Sequence, residues 1–265
     1  MICAPIVLMT DFGLRDHYVG SMKGAILSEA PRATIVDLTH QIAPQDVQGA
    51  ARALKVSFEY FPSGTVFVCV IDPGVGSRRR IICVKARGQF FLAPDNGLLT
   101  PILLKPKGIK IRSVENPDYL IKGRVSKTFH GRDIFAPVAA ALLKSGGVWG
   151  RLGPLVSSAK MISLPVVRKM VGGIRGKIIA FDSFGNAVSN ISEADVGQSR
   201  WKRAVVYCNG KRVGQLQMNY EVGRGPLVAL LNSSWELEIA KPGGSARKAA
   251  GIRLGAAVTV RYEKA

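Results

Sequence analysis

Four short stretches combine residue types that can act on a substrate. Thr10-Asp11-Phe12-Gly13 directly follows the apolar run Pro5–Met9 (PIVLM). In a parallel sheet the carboxyl ends of strands are where ligands bind. A carboxylate there can accept hydrogen bonds from both hydroxyls of a ribose, or it can simply cap a turn. Asp16, five residues on, either caps the next helix or binds ligand. Asp72-Pro73-Gly74-Val75-Gly76-Ser77-Arg78-Arg79-Arg80 follows the β-branched run Thr65–Ile71 (TVFVCVI). Its glycines let the backbone approach a ligand closely. Its aspartate and the arginines beyond a tight loop could hold a polar molecule between them, or form a solvated hairpin. It lacks the third glycine of a dinucleotide fingerprint and the Gly-Lys-Ser/Thr of a P-loop.

Phe129-His130-Gly131-Arg132-Asp133 places a histidine just before a predicted helix. The positive end of the helix dipole keeps an imidazole neutral there, able to act as base or acceptor. Only His17 and His40 accompany it, and a lone histidine is as readily structural. His40, in Asp37-Leu38-Thr39-His40, reads as a hydrogen-bonded loop residue. Phe184-Gly185-Asn186, with Asn190 beyond it, offers amide groups that can read the polar edge of an amino acid or a purine. Asn232-Ser233-Ser234 and Gly243-Gly244-Ser245-Ala246 are small polar loops that loop tips alone explain.

These stretches need elements to hold them. Apolar runs at Pro5–Met9, Thr34–Leu38, Thr65–Ile71, Arg80–Val84 and Phe90–Ala93 read as strands. Tyr18–Glu29, Val47–Tyr60, Gly97–Leu104 and Ile134–Leu143 carry helical spacing, the last with Asp133 as its expected N-cap. Strand-helix alternation predicts an α/β domain over 1–165 with a mostly parallel sheet. The rest is dominated by strand runs: Lys177–Phe181, Arg203–Tyr207, Arg212–Met218, Pro226–Leu231, Leu237–Ile239 and Ala257–Tyr262. Asn209-Gly210 is a type I′ hairpin signal. A small antiparallel β-barrel or sandwich over 170–265 follows, with the boundary inside 153–176.

Composition narrows the classes. At 265 residues and 47% hydrophobic the chain has ample material for a core. Its net charge of +19 attracts polyanions such as nucleic acid or anionic lipid. The basic residues are scattered and aromatics are only 7%, so nucleic acid is a possible partner and not the main function. Cys3, Cys69, Cys83 and Cys208 form no C-x-x-C pair, and Cys69 and Cys83 lie in apolar runs as core residues, which fits a reducing cytoplasm. No run reaches the roughly 18 apolar residues of a membrane span. Ile2–Met9 has no basic flank or cleavage site and reads as a strand, not a signal peptide.

Six motifs occur in order: Thr10-Asp11-Phe12-Gly13, Asp37-Leu38-Thr39-His40, Asp72 to Arg80, Pro94-Asp95-Asn96-Gly97, Phe129 to Asp133, and Phe184-Gly185-Asn186. Together they resemble the S-adenosylmethionine (SAM) hydroxide adenosyltransferases, relatives of the fluorinating and chlorinating enzymes that use the same substrate. The resemblance runs from Ile6 to about Tyr262. It implies an N-terminal α/β domain, a C-terminal β-barrel, and a homotrimer whose active sites lie between subunits. It implies that Asp72, Arg79 and His130 position and activate water, and that Asp11 holds the ribose hydroxyls. It puts Asp16 and Asn186 near the methionine moiety, and Phe184, Ser233 and Ala246 in the C-terminal part of the pocket. The halogenating relatives carry tyrosines at the positions of Asp72 and His130, and the fluorinating ones a serine at that of Gly131. This chain departs from some relatives at Ser234-Trp235, where they have an arginine, and in its basicity.

The expected reaction is attack of water on the ribose C5′, in line with the departing sulfur, giving adenosine and methionine. A sulfonium leaves as a neutral thioether, so no metal or cofactor is expected. The alternatives are a halide-dependent 5′-halo-adenosine synthase, which Gly131 argues against, and a non-catalytic adenosine- or RNA-binding module, which has no use for the Asp72, Arg79 and His130 set.

Overall fold

The longest buried runs set the first sheet. A computed structural model describes residues 4–104, 108–220 and 225–263. The chain divides into two units, one ending at Ile162 and the other beginning at Ser163. In chain order the first unit contains β1 (Ile6–Thr10), α1 (Tyr18–Glu29), β2 (Ile35–Thr39), α2 (Val47–Ser57), β3 (Val66–Val70), β4 (Ile81–Ala86), β5 (Gln89–Pro94), the one-turn α3 (Thr100–Leu103), β6 (Lys110–Ser113) and α4 (Ala136–Lys144). Its six-stranded sheet runs β2-β1-β3-β5-β4-β6. The first four are parallel, and β4 pairs antiparallel with β5 and β6.

Strands β1 and β3 are buried at every position, as continuous apolar runs covered on both faces must be. Alternation sorts their side chains into two layers. Ile6, Leu8, Val66 and Val68 pack with Met22 and Ile26 of α1 and with α4. Val7, Met9, Phe67 and Cys69 pack with Ala50 and Leu54 of α2. Phe67 and Phe91 stack there with ring centroids 5.0 Å apart. Cys69 and Cys83 are buried free thiols whose pKa burial pushes up, which leaves them inert. Cys3 lies outside the described residues.

The second unit holds β7 (Arg168–Met170), β8 (Gly173–Phe181), β9 (Ala187–Ser192), α5 (Glu193–Val196), β10 (Ala204–Cys208), β11 (Lys211–Gln217), β12 (Val228–Leu231), β13 (Glu236–Ala240), α6 (Ala246–Ala249) and β14 (Ala257–Tyr262). The order β14-β10-β11-β12-β13-β9-β8 closes through a β14–β8 pairing into a seven-stranded barrel, and β7 extends the edge of β8. Closure removes the free edges. Ile174, Ile178, Val206, Leu237, Ile239, Val258 and Val260 fill the interior.

The α/β-plus-barrel architecture stands as the sequence predicted, and Asn209 and Gly210 both have positive φ, as a type I′ turn requires. Four details differ. The barrel is not wholly antiparallel, because β11 and β12 pair in parallel. Strand β9 was missed, its Ser189 and Asn190 having masked an otherwise buried run. Gly97 has φ +97°, so the helix expected over 97–104 shrinks to α3. Asp133 does not cap α4 but lies fully buried inside a π-helical turn, Gly131–Phe135, that precedes it. No helix among the described residues is long and apolar enough to cross a membrane.

Candidate active site

The strand order places a switch point between β1 and β3, since β1 is flanked by β2 on one side and β3 on the other. Clefts at such points, outside the carboxyl ends of the strands, are the usual ligand sites of open α/β sheets. A cleft of ≈ 380 Å³ opens here, lined by Asp11, Gln45, Asp72, His130 and Gly131 and by the rings of Phe12, Tyr18 and Phe129. Tyr18 and Phe129 meet edge to face at 5.0 Å, and Phe12 and Phe129 at 6.0 Å.

Asp11 is held by the loop that follows β2. Its Oδ2 accepts the backbone N–H of Gln45 at 2.8 Å. Gln45 has φ +64°, a conformation uncommon for a side-chain-bearing residue and concentrated at functional sites. His40 grips the residues on either side of Asp11. Its Nδ1 lies 2.8 Å from the Thr10 hydroxyl, and its carbonyl accepts the Gly13 N–H at 2.8 Å. The Thr10 oxygen also accepts the Phe12 N–H. His40 Nε2 faces Asp37 Oδ1 at 3.1 Å, and Lys23 of α1 reaches Asp37 Oδ2 at 2.6 Å. Burial pushes the Asp37 pKa up, but Lys23 and His40 outweigh it and the carboxyl titrates below its ordinary value.

Asp72 follows β3. The carbonyl of Ile71 just before it accepts the Asn96 side-chain amide at 2.8 Å. Two turns fold the chain back so that Arg79 meets Asp72: Val75 N–H donates to the Asp72 carbonyl and Ser77 N–H to the Gly74 carbonyl. Gly76, at φ +77°, passes so close to the Lys127 carbonyl that a Cβ there would collide with it. Arg79 Nε donates to Asp72 Oδ1 and Oδ2 at 3.0 and 2.9 Å, and Nη2 donates to Oδ2 at 2.5 Å. The same Nη2 lies 2.6 Å from His130 Nδ1. The Arg79 and Asp72 side chains are 9% and 5% exposed. Arg80, next in sequence, donates to the buried Asp95, whose other oxygen accepts the Lys160 N–H.

The Arg79 contact fixes the state of His130. A guanidinium cannot accept, so Nδ1 accepts and the ring proton sits on Nε2. Burial, then the positive charge of Arg79, lowers the His130 pKa, against the opposing pull of Asp72 and Asp133. Asp133 itself holds the neighbouring loop, accepting the Ser126 N–H at 2.7 Å and Arg132 Nε at 2.6 Å.

Arg79 lies behind Asp72 and His130 and is not part of the cleft lining. Asp16 is exposed before α1, whose N-cap is His17, and lines no part of the cleft. In the second unit Phe184 and Asn186 border a separate pocket of ≈ 860 Å³ with Tyr220, Lys241 and Ser245. Phe184 is 77% exposed, whereas Asn186 is buried with its amide donating to Asp182 Oδ2 at 2.9 Å. Ser233 is exposed in the turn before β13, and Ala246 is fully buried at the start of α6; neither lines that pocket. Gln45, Tyr18 and Tyr220 are lining residues the sequence motifs did not include. Only Tyr18 left a signal, as an aromatic at the helix start just beyond Asp11.

The model of the SAM hydroxide adenosyltransferase N-terminal domain matches residues 6–153, and that of the C-terminal domain matches residues 176–259. This chain belongs to the SAM hydroxide adenosyltransferase family. A member from Thermus thermophilus, named (R)-S-adenosyl-L-methionine hydrolase, is 37% identical over 257 residues, covering 95% of this chain and 97% of the relative. A fluorinase from an Actinoplanes species is more distant, 30% identical over 218 residues and 72% of each chain. Among solved structures, a conserved protein of uncharacterized function from Thermotoga maritima superposes with a TM-score of 0.86 at 35% identity, covering 97% of this chain and 99% of that one. Within the adenosyltransferase family frame, the six motifs fall on both matched segments.

Proposed function

We propose that this protein hydrolyses S-adenosyl-L-methionine at the ribose C5′, releasing adenosine and L-methionine. The observation that carries the reading is the hydrogen-bonded chain Asp72–Arg79–His130 at the switch-point cleft, beside a second strand-tip carboxylate, Asp11. The relatives named as hydrolases support it.

In this reading Asp11 accepts the two ribose hydroxyls and anchors C5′. Water is a weak nucleophile and must shed a proton as its bond to carbon forms. An ionised carboxylate offers about four lone-pair sites. Arg79 Nη2 donates to Oδ2 of Asp72 and the single Nε–H is shared between Oδ1 and Oδ2, which leaves Oδ1 the less occupied oxygen. Oδ1 is the proton acceptor, and His130 Nε2–H donates to the water oxygen and aims it. Arg79 acts through both neighbours: it orients the Asp72 carboxylate and holds His130 in one tautomer. In-line placement of oxygen, C5′ and sulfur supplies the orientation part of the acceleration. The sulfonium departs as a neutral thioether, so the step calls for no acid, metal or cofactor.

By family resemblance Asp16 and Asn186 are assigned to the neighbourhood of the methionine moiety, and Phe184, Ser233 and Ala246 to the C-terminal part of the pocket. The same resemblance supports a homotrimer in which second-unit residues of a neighbouring subunit complete each site. The buried free thiols of Cys69, Cys83 and Cys208 support a cytoplasmic location. Incubation with SAM in water enriched in oxygen-18 tests the reaction. Adenosine labelled at its 5′ oxygen beside unlabelled methionine is the expected result. Adenosine without the label, or no adenosine, overturns it.

A further inference from the structure

One run of barrel strands is basic without acidic residues. Strands β7, β8, β14, β10 and β11 are contiguous and contain no aspartate or glutamate. Residues directly opposite one another on antiparallel strands share a face. Arg168 stands opposite Arg175, Arg175 opposite Thr259, Thr259 opposite Tyr207, and Tyr207 opposite Arg212. These five form one row, about 19 Å long at a strand spacing of about 4.8 Å. Lys177 and Arg261 lie on the same face, two residues along their strands from Arg175 and Thr259. The face points away from the barrel interior, which takes Ile174, Ile178, Val258 and Val260 from the same strands. Arg168, Arg175, Lys177, Arg212 and Arg261 are all exposed, and none is ion-paired to a described residue. Like charges set directly opposite, as Arg168 and Arg175 are, cost stability with nothing in the row to offset them.

We propose that this face binds a single strand of nucleic acid, independently of the hydrolytic site. Four of the five cations are arginines, whose planar forks match phosphate oxygens in a way lysine does not. Tyr207 sits half-buried within the row, between Thr259 and Arg212, with the Arg261 guanidinium 5.7 Å from its ring. A sheet face with an aromatic platform inside a basic track is the arrangement that stacks bases and follows a backbone. An anionic bilayer is the competing polyanion, and exposed Met170 and Val171 at the end of the β7–β8 hairpin are what it would use.

The test uses the full-length protein and a fluorescein-labelled oligouridylate of about 12 nucleotides, within the span such folds occupy. Binding is followed by anisotropy over a salt series. The wild type binds with an affinity that falls steeply with salt. The triple variant Arg168→Gln/Arg175→Gln/Arg212→Gln loses at least tenfold, and its log–log salt slope shrinks by about 2, at about 0.7 per lost phosphate contact. A charge-matched control, Arg32→Gln/Lys122→Gln/Arg151→Gln on exposed positions of the first unit, keeps wild-type binding. Neither variant melts below the wild type, the triple variant gaining from the lost Arg168–Arg175 repulsion, and both keep SAM turnover, so neither result comes from misfolding. Equal loss in the two variants, no binding to the oligonucleotide, or binding to phosphatidylserine vesicles in its place each overturns the proposal.

Discussion

His130 is the residue on which two opposite demands meet. It must accept from Arg79 through Nδ1, so it must be neutral, and burial and the Arg79 charge both lower its pKa from the ordinary 6.5. Turnover should therefore hold down to a pH below 6.5 and fall only when Nδ1 is protonated and the Arg79 bond is lost. The same shift bears on stability. The unfolded chain takes up this proton first, so stability is complete above the unfolded value and declines as pH drops through 6.5 toward the folded one. Replacing Arg79 with Ala removes a cause of the lowering and leaves Asp72 and Asp133 pulling the other way. An NMR titration of the His130 Cε1–H should then give a higher pKa than in the wild type; an unchanged value would show that Arg79 does not set its state. Arg79→Ala and His130→Ala should each lose most of their turnover, measured by adenosine release, while still binding adenosine. Near-normal rates in both would refute the assigned roles. Gly131 makes a separate point. A Cβ there would sit 3.0 Å from Met22 Sδ, 3.2 Å from Phe12 Cε2 and 3.3 Å from Phe129 Cε2. Gly131→Ser must push these groups aside, an overpacking cost of about 1–3 kcal/mol readable as a lower denaturant midpoint. The variant should gain no chloride-dependent product, because Asp72 and His130 remain.

At the scale of elements, the site depends on how one loop holds another. The residues after β2 grip the residues after β1 at Thr10, Asp11 and Gly13, and His40 supplies two of those three contacts. His40→Ala should loosen Asp11 and raise KM for SAM about tenfold, equal to roughly 1.4 kcal/mol of lost ground-state and transition-state binding alike. The kcat should stay near wild type, since Asp72, Arg79 and His130 rest on β3 and the π-helical turn. An asparagine at position 40 can place a polar amide near the old Nδ1 and should restore much of the loss. A fall in kcat with KM unchanged would mean that His40 serves the chemistry and not the positioning of Asp11. These loops also mark where sequence reading stops. The strand-tip aspartates and the helix Tyr18–Glu29 were legible because burial periodicity and turn chemistry are local. The π-helical turn was not: its extra residue moves Asp133 from the cap into the interior, and no local preference announces that. Nor was the positive φ of Gln45, which long-range contacts impose on an ordinary side chain. Strand β9 hid because Ser189 points into a barrel interior that is small enough to accept it.

The whole molecule consists of two units, each with its own buried cluster: the sheet sandwiched between helix layers in one, the barrel interior in the other. Cores that do not share residues need not melt together, so calorimetry should resolve two transitions in the unliganded protein. A ligand raises the midpoint of whatever it binds in the folded state, by RT ln(1 + [L]/Kd), about 2.7 kcal/mol at a hundredfold excess over Kd. Adenosine held by the first-unit cleft alone should raise one midpoint and leave the other in place. The trimer reading makes a different demand. There, residues at Phe184 and Asn186 of a neighbouring subunit touch the same ligand, so both midpoints should rise together and depend on protein concentration. The variant Phe184→Ala separates the cases further: its side chain is exposed, so its loss should not unsettle the barrel. In the trimer reading it uncouples the second midpoint from adenosine while the first still shifts. If wild-type adenosine moves only the first transition, the second unit takes no part in the site, and the cleft between β1 and β3 must hold the nucleoside by itself.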